Sequence, residues 1–187
     1  MTMKLIFYIA VLIIAFLGYR AYSQPSKVLA NGTKAPNFNL PDAKGEMQSL
    51  VSLKGQSPNQ RWIVLYFYPR DDSPICTKQA CSFRDDMRKL ENLGASVVGI
   101  SVDDGKSHAD FAKKYHLPYA LLSDKDGTVA NQYGALTNFG IIKMAKRYTF
   151  LIDPNGVLQK SYLDVDVSKH SQQIIDDLTL LTASKTS

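Results

Sequence analysis

The hydrophobic positions of the chain fall into blocks of different kinds. Trp62–Tyr68 and Ser96–Val102 are apolar runs, rich in β-branched and aromatic residues and without alternation. Such runs predict strands covered on both faces. Arg147–Ile152 predicts a third strand. Asp153-Pro154-Asn155-Gly156 is a turn, and Val157–Leu163 returns as a strand, so a hairpin ends the sheet. Between the strands, helices are predicted at Pro74–Leu93, Lys106–Tyr115 and Ser168–Leu181, with Gly94 as the stop of the first. The β-α-β order with a late antiparallel hairpin gives an α/β fold, a central mixed sheet flanked by helices.

The N-terminal block differs. Leu5–Tyr19 is nearly all apolar and carries no charge. At fifteen residues it is short of the about 20 that a spanning helix needs. It suits the core of a signal peptide after Lys4, with Ala21-Tyr22-Ser23 as a cleavage site and Gln24 as the mature start. Bulky Tyr19, Arg20 and Tyr22 argue against cleavage and leave an uncleaved membrane anchor as a close second reading. Either reading places the domain outside the cytoplasm, in a bacterial periplasm. The organisation expected is a signal or anchor at 1–23, a linker at 24–32 and one domain at 33–187, with the membrane touched only through the N-terminal segment.

The 187 residues are 45% hydrophobic and 21% charged, as in a globular protein. Net charge is +5, and Lys4 and Arg20 lie in the acid-free first block, which leaves +3 from Gln24 to Ser187. The basic residues are scattered among acids, which argues against a nucleic-acid surface. No glycine-rich phosphate loop is present. Asn31-Gly32-Thr33 fits a glycosylation sequon, which matters only in a eukaryotic source.

Chemistry concentrates at Cys76 and Cys81, the only cysteines. Ser73-Pro74 marks a helix start, because Ser is a favoured N-cap and Pro is tolerated at the first helical position. Cys76 then lies in the first turn, where unpaired N–H groups and the helix dipole favour a thiolate. Five residues along a helix separate the two Cα atoms by about 8–9 Å, and a disulfide needs them within about 7 Å. A bridge would therefore unwind the first turns, which suits a redox cycle better than a structural staple. A free cysteine can also be a small buried hydrophobe, a reading that fits Cys81 better than Cys76. His108, His116 and His170 show no zinc-ligand spacing relative to the cysteines and receive no role. A thioredoxin-type exchange motif has two intervening residues where this pair has four. Asp71-Asp72, ahead of the helix, is assigned to dipole stabilisation.

The stretch Tyr66-Phe67-Tyr68-Pro69, Asp72-Ser73-Pro74-Ile75-Cys76-Thr77 and Gln79-Ala80-Cys81-Ser82-Phe83-Arg84-Asp85 resembles the peroxiredoxins of the bacterioferritin-comigratory-protein, or PrxQ, type. Ser73 replaces the usual Thr and keeps its hydroxyl; Ile75 replaces the usual Gly. Weaker matches follow in order at Phe111–Tyr115, Leu121–Asp124 and Arg147–Asp153, so the resemblance covers about residues 33 to 183. It implies a thioredoxin-like sandwich and a thiol peroxidase active in antioxidant defence. On this resemblance Cys76 is the peroxidatic cysteine and Cys81 the resolving one, joined by a disulfide. Arg147 polarises the peroxide and favours the thiolate, Ser73 hydrogen-bonds thiolate or peroxide, and Pro69 shields the pocket. The substrate is hydrogen peroxide or an organic hydroperoxide. The reductant is thioredoxin or an exported thioredoxin-like protein. No metal, flavin or haem is implied.

Overall fold

The apolar run at Trp62 becomes the middle of the sheet. The computed structural model describes residues 8–9, 11–13, 27–55, 60–138 and 142–183. In chain order the elements are β1 (Asn39–Pro41), β2 (Met47–Ser49), α1 (Leu50–Lys54), β3 (Trp62–Phe67), α2 (Pro74–Asp85), α3 (Met87–Asn92), β4 (Ala95–Ser101) and α4 (Gly105–Tyr115). There follow β5 (Ala120–Ser123), α5 (Thr128–Gln132), β6 (Leu136–Asn138), β7 (Lys143–Ala145), β8 (Thr149–Ile152), β9 (Leu158–Tyr162) and α6 (His170–Ala183). The main sheet has the order β5-β4-β3-β8-β9. β3, β4 and β5 run parallel, while β8 and β9 are antiparallel to their neighbours. This is the mixed sheet and closing hairpin expected of a thioredoxin-like sandwich.

β3 shows why the run does not alternate. All six of its residues are buried. Trp62, Val64 and Tyr66 point into one core with Cys76, Ala80, Phe83, Phe111 and Ile174. Ile63, Leu65 and Phe67 point into the other with Leu50, Tyr133, Phe150 and Leu158. Successive side chains face opposite ways, so a strand at the sheet centre needs apolar residues at every position.

The predicted helix Pro74–Leu93 is two helices. Asp86, at φ −94° and ψ 4°, breaks it. The Asp86 carboxylate is taken up by Lys89 Nζ and Ser171 Oγ, at 2.8 and 2.6 Å. One of these partners is a tertiary contact with α6, which periodicity could not show. Gly94 ends α3 at φ +70° and lets the chain enter β4 directly. The short elements β1, β2, α1, β5, α5, β6 and β7 carry too few residues for a period to register.

One expectation about polar residues is corrected, the assignment of Asp71 to the helix dipole. His108 and His170, which received no role, are buried. Both are satisfied on one ring nitrogen by side chains remote in sequence, Asp71 and Thr149. Asp71 points into the protein instead of serving the helix dipole. Val28 and Leu29, in the expected linker, pack against the core, and Gly32 and Thr33 exchange backbone bonds with Leu158.

Most of the expected signal or anchor, 1–23, lies outside the described residues. Residues 8–9 and 11–13 are helical and exposed. Among the described residues no helix is long and apolar enough to cross a membrane.

Candidate active site

The loop between β3 and α2 is fixed from both sides. Asp71 accepts hydrogen bonds from Tyr68 Oη, Ser107 Oγ and His108 Nδ1 at 2.7, 2.7 and 2.9 Å. Its backbone N–H donates to Asp103 Oδ2 at 2.8 Å, and Ser101 Oγ holds that same oxygen at 2.7 Å. Burial, then the neighbouring Asp71 carboxylate, push the Tyr68 phenol well above its usual range, so it stays a donor. Asp72 adopts the left-handed region at φ 54°. Lys114 Nζ and Tyr115 Oη bind its exposed carboxylate at 2.6 Å each and hold it below the usual carboxylate range. α4 thus anchors the two residues that precede the cysteine helix, and that dictates where its first turn begins.

Ser73 occupies the N-cap and Pro74 the first turn of α2, as expected. The Ser73 side chain, however, makes no cap. Its Oγ donates to the Arg70 carbonyl at 3.2 Å. The first helical bond runs from Thr77 N–H to Ser73 O, at 2.8 Å. The amides of Ile75 and Cys76 precede it, so Cys76 belongs to the positive end of the helix. Cys76 is 2% exposed, whereas Ile75 beside it is 58% exposed. Pro69 is half-buried, two residues after the end of β3.

Arg147, 71 residues further on, completes the site. Lys146 N–H binds Ala135 O at 2.7 Å, and Tyr148 O receives Phe67 N–H at 2.7 Å, so the backbone on both sides of Arg147 is held. Arg147 Nη2 donates to Cys76 Sγ at 3.2 Å. Arg147 Nη1 donates to Gln79 Oε1 at 2.6 Å. A fixed cation that donates to sulfur favours the thiolate and can stabilise charge on a departing oxygen. Gln79 was missed by sequence reasoning. Its signal was its spacing: three residues after Cys76 it shares the helix face, and a buried glutamine requires a partner. Gln79 is 1% exposed, and its Nε2 has no hydrogen-bond partner among the described residues.

Cys81 lies on the same intact helix and is half-buried; both cysteines are free thiols. The structure therefore unites Cys76 with Arg147 and Gln79. It keeps Cys81 out of bonding range and leaves the Ser73 hydroxyl on a backbone carbonyl.

A cysteine at a helix start beside the central strand, under an arginine, on a thioredoxin-like sheet, defines a thiol-based redox enzyme. Comparisons with known proteins sharpen the class. The chain belongs to the AhpC/TSA family, whose model matches residues 31–161. Within it, the relatives are peroxiredoxins of the Bcp/PrxQ type. The peroxiredoxin bcp of Coxiella burnetii is 47% identical over 151 residues, 79% of this chain and 97% of that protein. The chloroplastic peroxiredoxin Q of Oryza sativa subsp. japonica is 46% identical over 135 residues, 72% of this chain and 59% of that longer protein. The crystal structure of peroxidoxin BcpB from Mycobacterium tuberculosis superposes with a TM-score of 0.76 at 34% identity, over 81% of this chain and 97% of that one. The protein is a peroxiredoxin, a thiol peroxidase.

The expectation of an exported, periplasmic or membrane-anchored protein is corrected. Among the described residues no helix can cross a membrane. The relatives' names describe a bacterial Bcp and chloroplastic proteins, and none describes an exported one.

Proposed function

We propose that this chain reduces hydrogen peroxide and organic hydroperoxides through a sulfenic acid on Cys76, resolved by Cys81 and recycled by a thioredoxin-like dithiol, as an antioxidant activity. The catalytic domain is taken as residues 33–187. The observation that carries the reading is the 3.2 Å contact from Arg147 Nη2 to Cys76 Sγ. In the first step the thiolate attacks one peroxide oxygen and the O–O bond breaks. The second oxygen leaves as water or alcohol with a proton, and Cys76 becomes a sulfenic acid. Arg147 stabilises the charge passing from sulfur to the leaving oxygen. Gln79 holds the guanidinium in register. Ser73 can accept from, or donate to, a bound peroxide after rotating away from Arg70, and Pro69 limits water access.

Cys81 then displaces the hydroxyl as water. The about 8–9 Å between Cα atoms on an intact helix exceeds the about 7 Å limit, so oxidation unwinds part of α2. The test is peroxide consumption with thioredoxin as donor. Cys76→Ser abolishes it with the fold retained. Cys81→Ser performs one turnover, accumulates sulfenic acid and loses recycling. Wild-type turnover by Cys76→Ser overturns the reading.

A further inference from the structure

We propose that Tyr119, backed by Tyr66, is a positioning residue that pins the cysteine helix between its two cysteines and thereby slows disulfide formation. The inference rests on the reading that Cys81 resolves Cys76. Tyr119 Oη donates to the carbonyl of Ala80 at 2.9 Å. Ala80 immediately precedes Cys81. Its carbonyl also lies inside α2, where the helix's own i+4 bond uses it. The Tyr119 bond is therefore not needed to build the helix. It is an extra tie on a segment that must move for the sulfurs to meet.

The tie is supported from below. Tyr119 spends its proton on Ala80, so Tyr66 Oη donates to Tyr119 Oη, at 3.3 Å. Tyr66 is 1% exposed on β3, and its ring packs against Phe83 of α2 with centroids 5.1 Å apart. Burial pushes both phenols above their ordinary range, so both remain protonated donors. Strand β4 makes room for this arrangement. A Cβ on Gly99 would lie 2.8 Å from Tyr66 Oη. Phenylalanine would fill the same core without a hydroxyl to desolvate, so the two hydroxyls serve the connection from strand to helix.

The step affected is Cys76–SOH + Cys81–SH → Cys76–S–S–Cys81 + H2O. A sulfur–sulfur bond forms, the sulfur–oxygen bond breaks, and the thiol proton leaves in water. No outside oxidant is required beyond the peroxide that made the sulfenic acid. While the helix persists, a second peroxide can carry Cys76 to the sulfinic acid. A stronger pin therefore favours overoxidation, and its removal favours resolution. Losing one neutral hydrogen bond shifts the opening equilibrium roughly three- to ten-fold.

The experiment uses the full chain with Tyr66→Phe/Tyr119→Phe. Removing both hydroxyls leaves no buried phenol orphaned, so the fold is spared. One equivalent of hydrogen peroxide is added, and acid-quenched samples are read by intact mass for sulfenic acid, disulfide and sulfinic acid. The expected result is wild-type oxidation of Cys76, disulfide formation roughly three- to ten-fold faster, and less sulfinic acid at a given peroxide dose. A merely structural role would not accelerate any step. Should the double variant fail to fold, Tyr119→Phe alone provides the same measurement. Resolution at or below the wild-type rate in the folded variant overturns the proposal. A wild type that forms no intramolecular disulfide overturns the reading beneath it, and the pin with it.

Discussion

Arg147→Ala is the perturbation whose size the structure lets one work out. Arg147 makes two contacts at the site, 3.2 Å to Cys76 Sγ and 2.6 Å to Gln79 Oε1. Both partners are buried, at 2% and 1% exposure. The alanine variant removes a charged donor from the sulfur and strands a buried amide that already has one unpaired nitrogen. A donor aimed at charge that develops in the transition state contributes about 2.7–4 kcal/mol. Charge on the reacting oxygens is greatest in the transition state, so most of the loss falls on the rate. The expectation is a decrease of about 10²–10³ in the second-order rate with peroxide, the size found for lost oxyanion donors. Arg147→Lys recovers only part, because an ammonium cannot fork to sulfur and amide together. The assay is stopped-flow oxidation of Cys76 by hydrogen peroxide. A wild-type peroxide rate in Arg147→Ala would refute the reasoning.

Other perturbations test neighbouring parts of the account. Gln79→Ala loosens Arg147 while leaving its charge, so the peroxide rate falls by about tenfold, the value of one charge-assisted bond, as the same stopped-flow assay reads. Ile75, 58% exposed in the first turn, stiffens it; Ile75→Gly adds backbone freedom of about 0.5–1 kcal/mol, and quenched-flow mass spectrometry is expected to show faster disulfide formation. Hydrogen exchange is expected to show protection lost across Pro74–Phe83 on oxidation, and equal protection in both forms would exclude unwinding. His170 is pushed down to about 4 by burial, while its unfolded value is about 6.5. The unfolded chain therefore binds more protons between those values. Stability is full above pH 6.5 and declines as pH falls toward 4, by about 2 kcal/mol at pH 5. Urea midpoints at pH 7.5 and 5 measure this, and His170→Gln is expected to flatten the difference.

Particular residues show how far the sequence carries. The β3 run was legible because a strand buried on both faces needs apolar residues at every position, and Ser73-Pro74 marked the start of α2 by local chemistry. Cys76 was legible for the same reason: the helix start that places it in a first turn is set within three residues of it. Arg147 was named only through a resemblance, since nothing local distinguishes it from a charge flanking a strand. Gln79, the inward Asp71 and the buried His108 and His170 were not legible. Each is defined by a partner 21 to 68 residues away, and hydrophobic pattern is silent about such pairs. The break at Asp86 was also missed, and its carboxylate has a partner, Ser171, 85 residues on. The expectation of export rested on the apolar composition of the N-terminal block alone, and composition is a weak guide to where a protein resides.

The most direct test of the central claim is the intact mass and peptide map of the full-length reduced protein after one equivalent of hydrogen peroxide. Cys76 held by Arg147 and resolved by Cys81 predicts one product, the loss of two hydrogens located to a Cys76–Cys81 disulfide. In Cys81→Ser it predicts one added oxygen located to Cys76. Both thiols remaining free, or oxygen added to Cys81 while Cys76 stays reduced, would contradict the account.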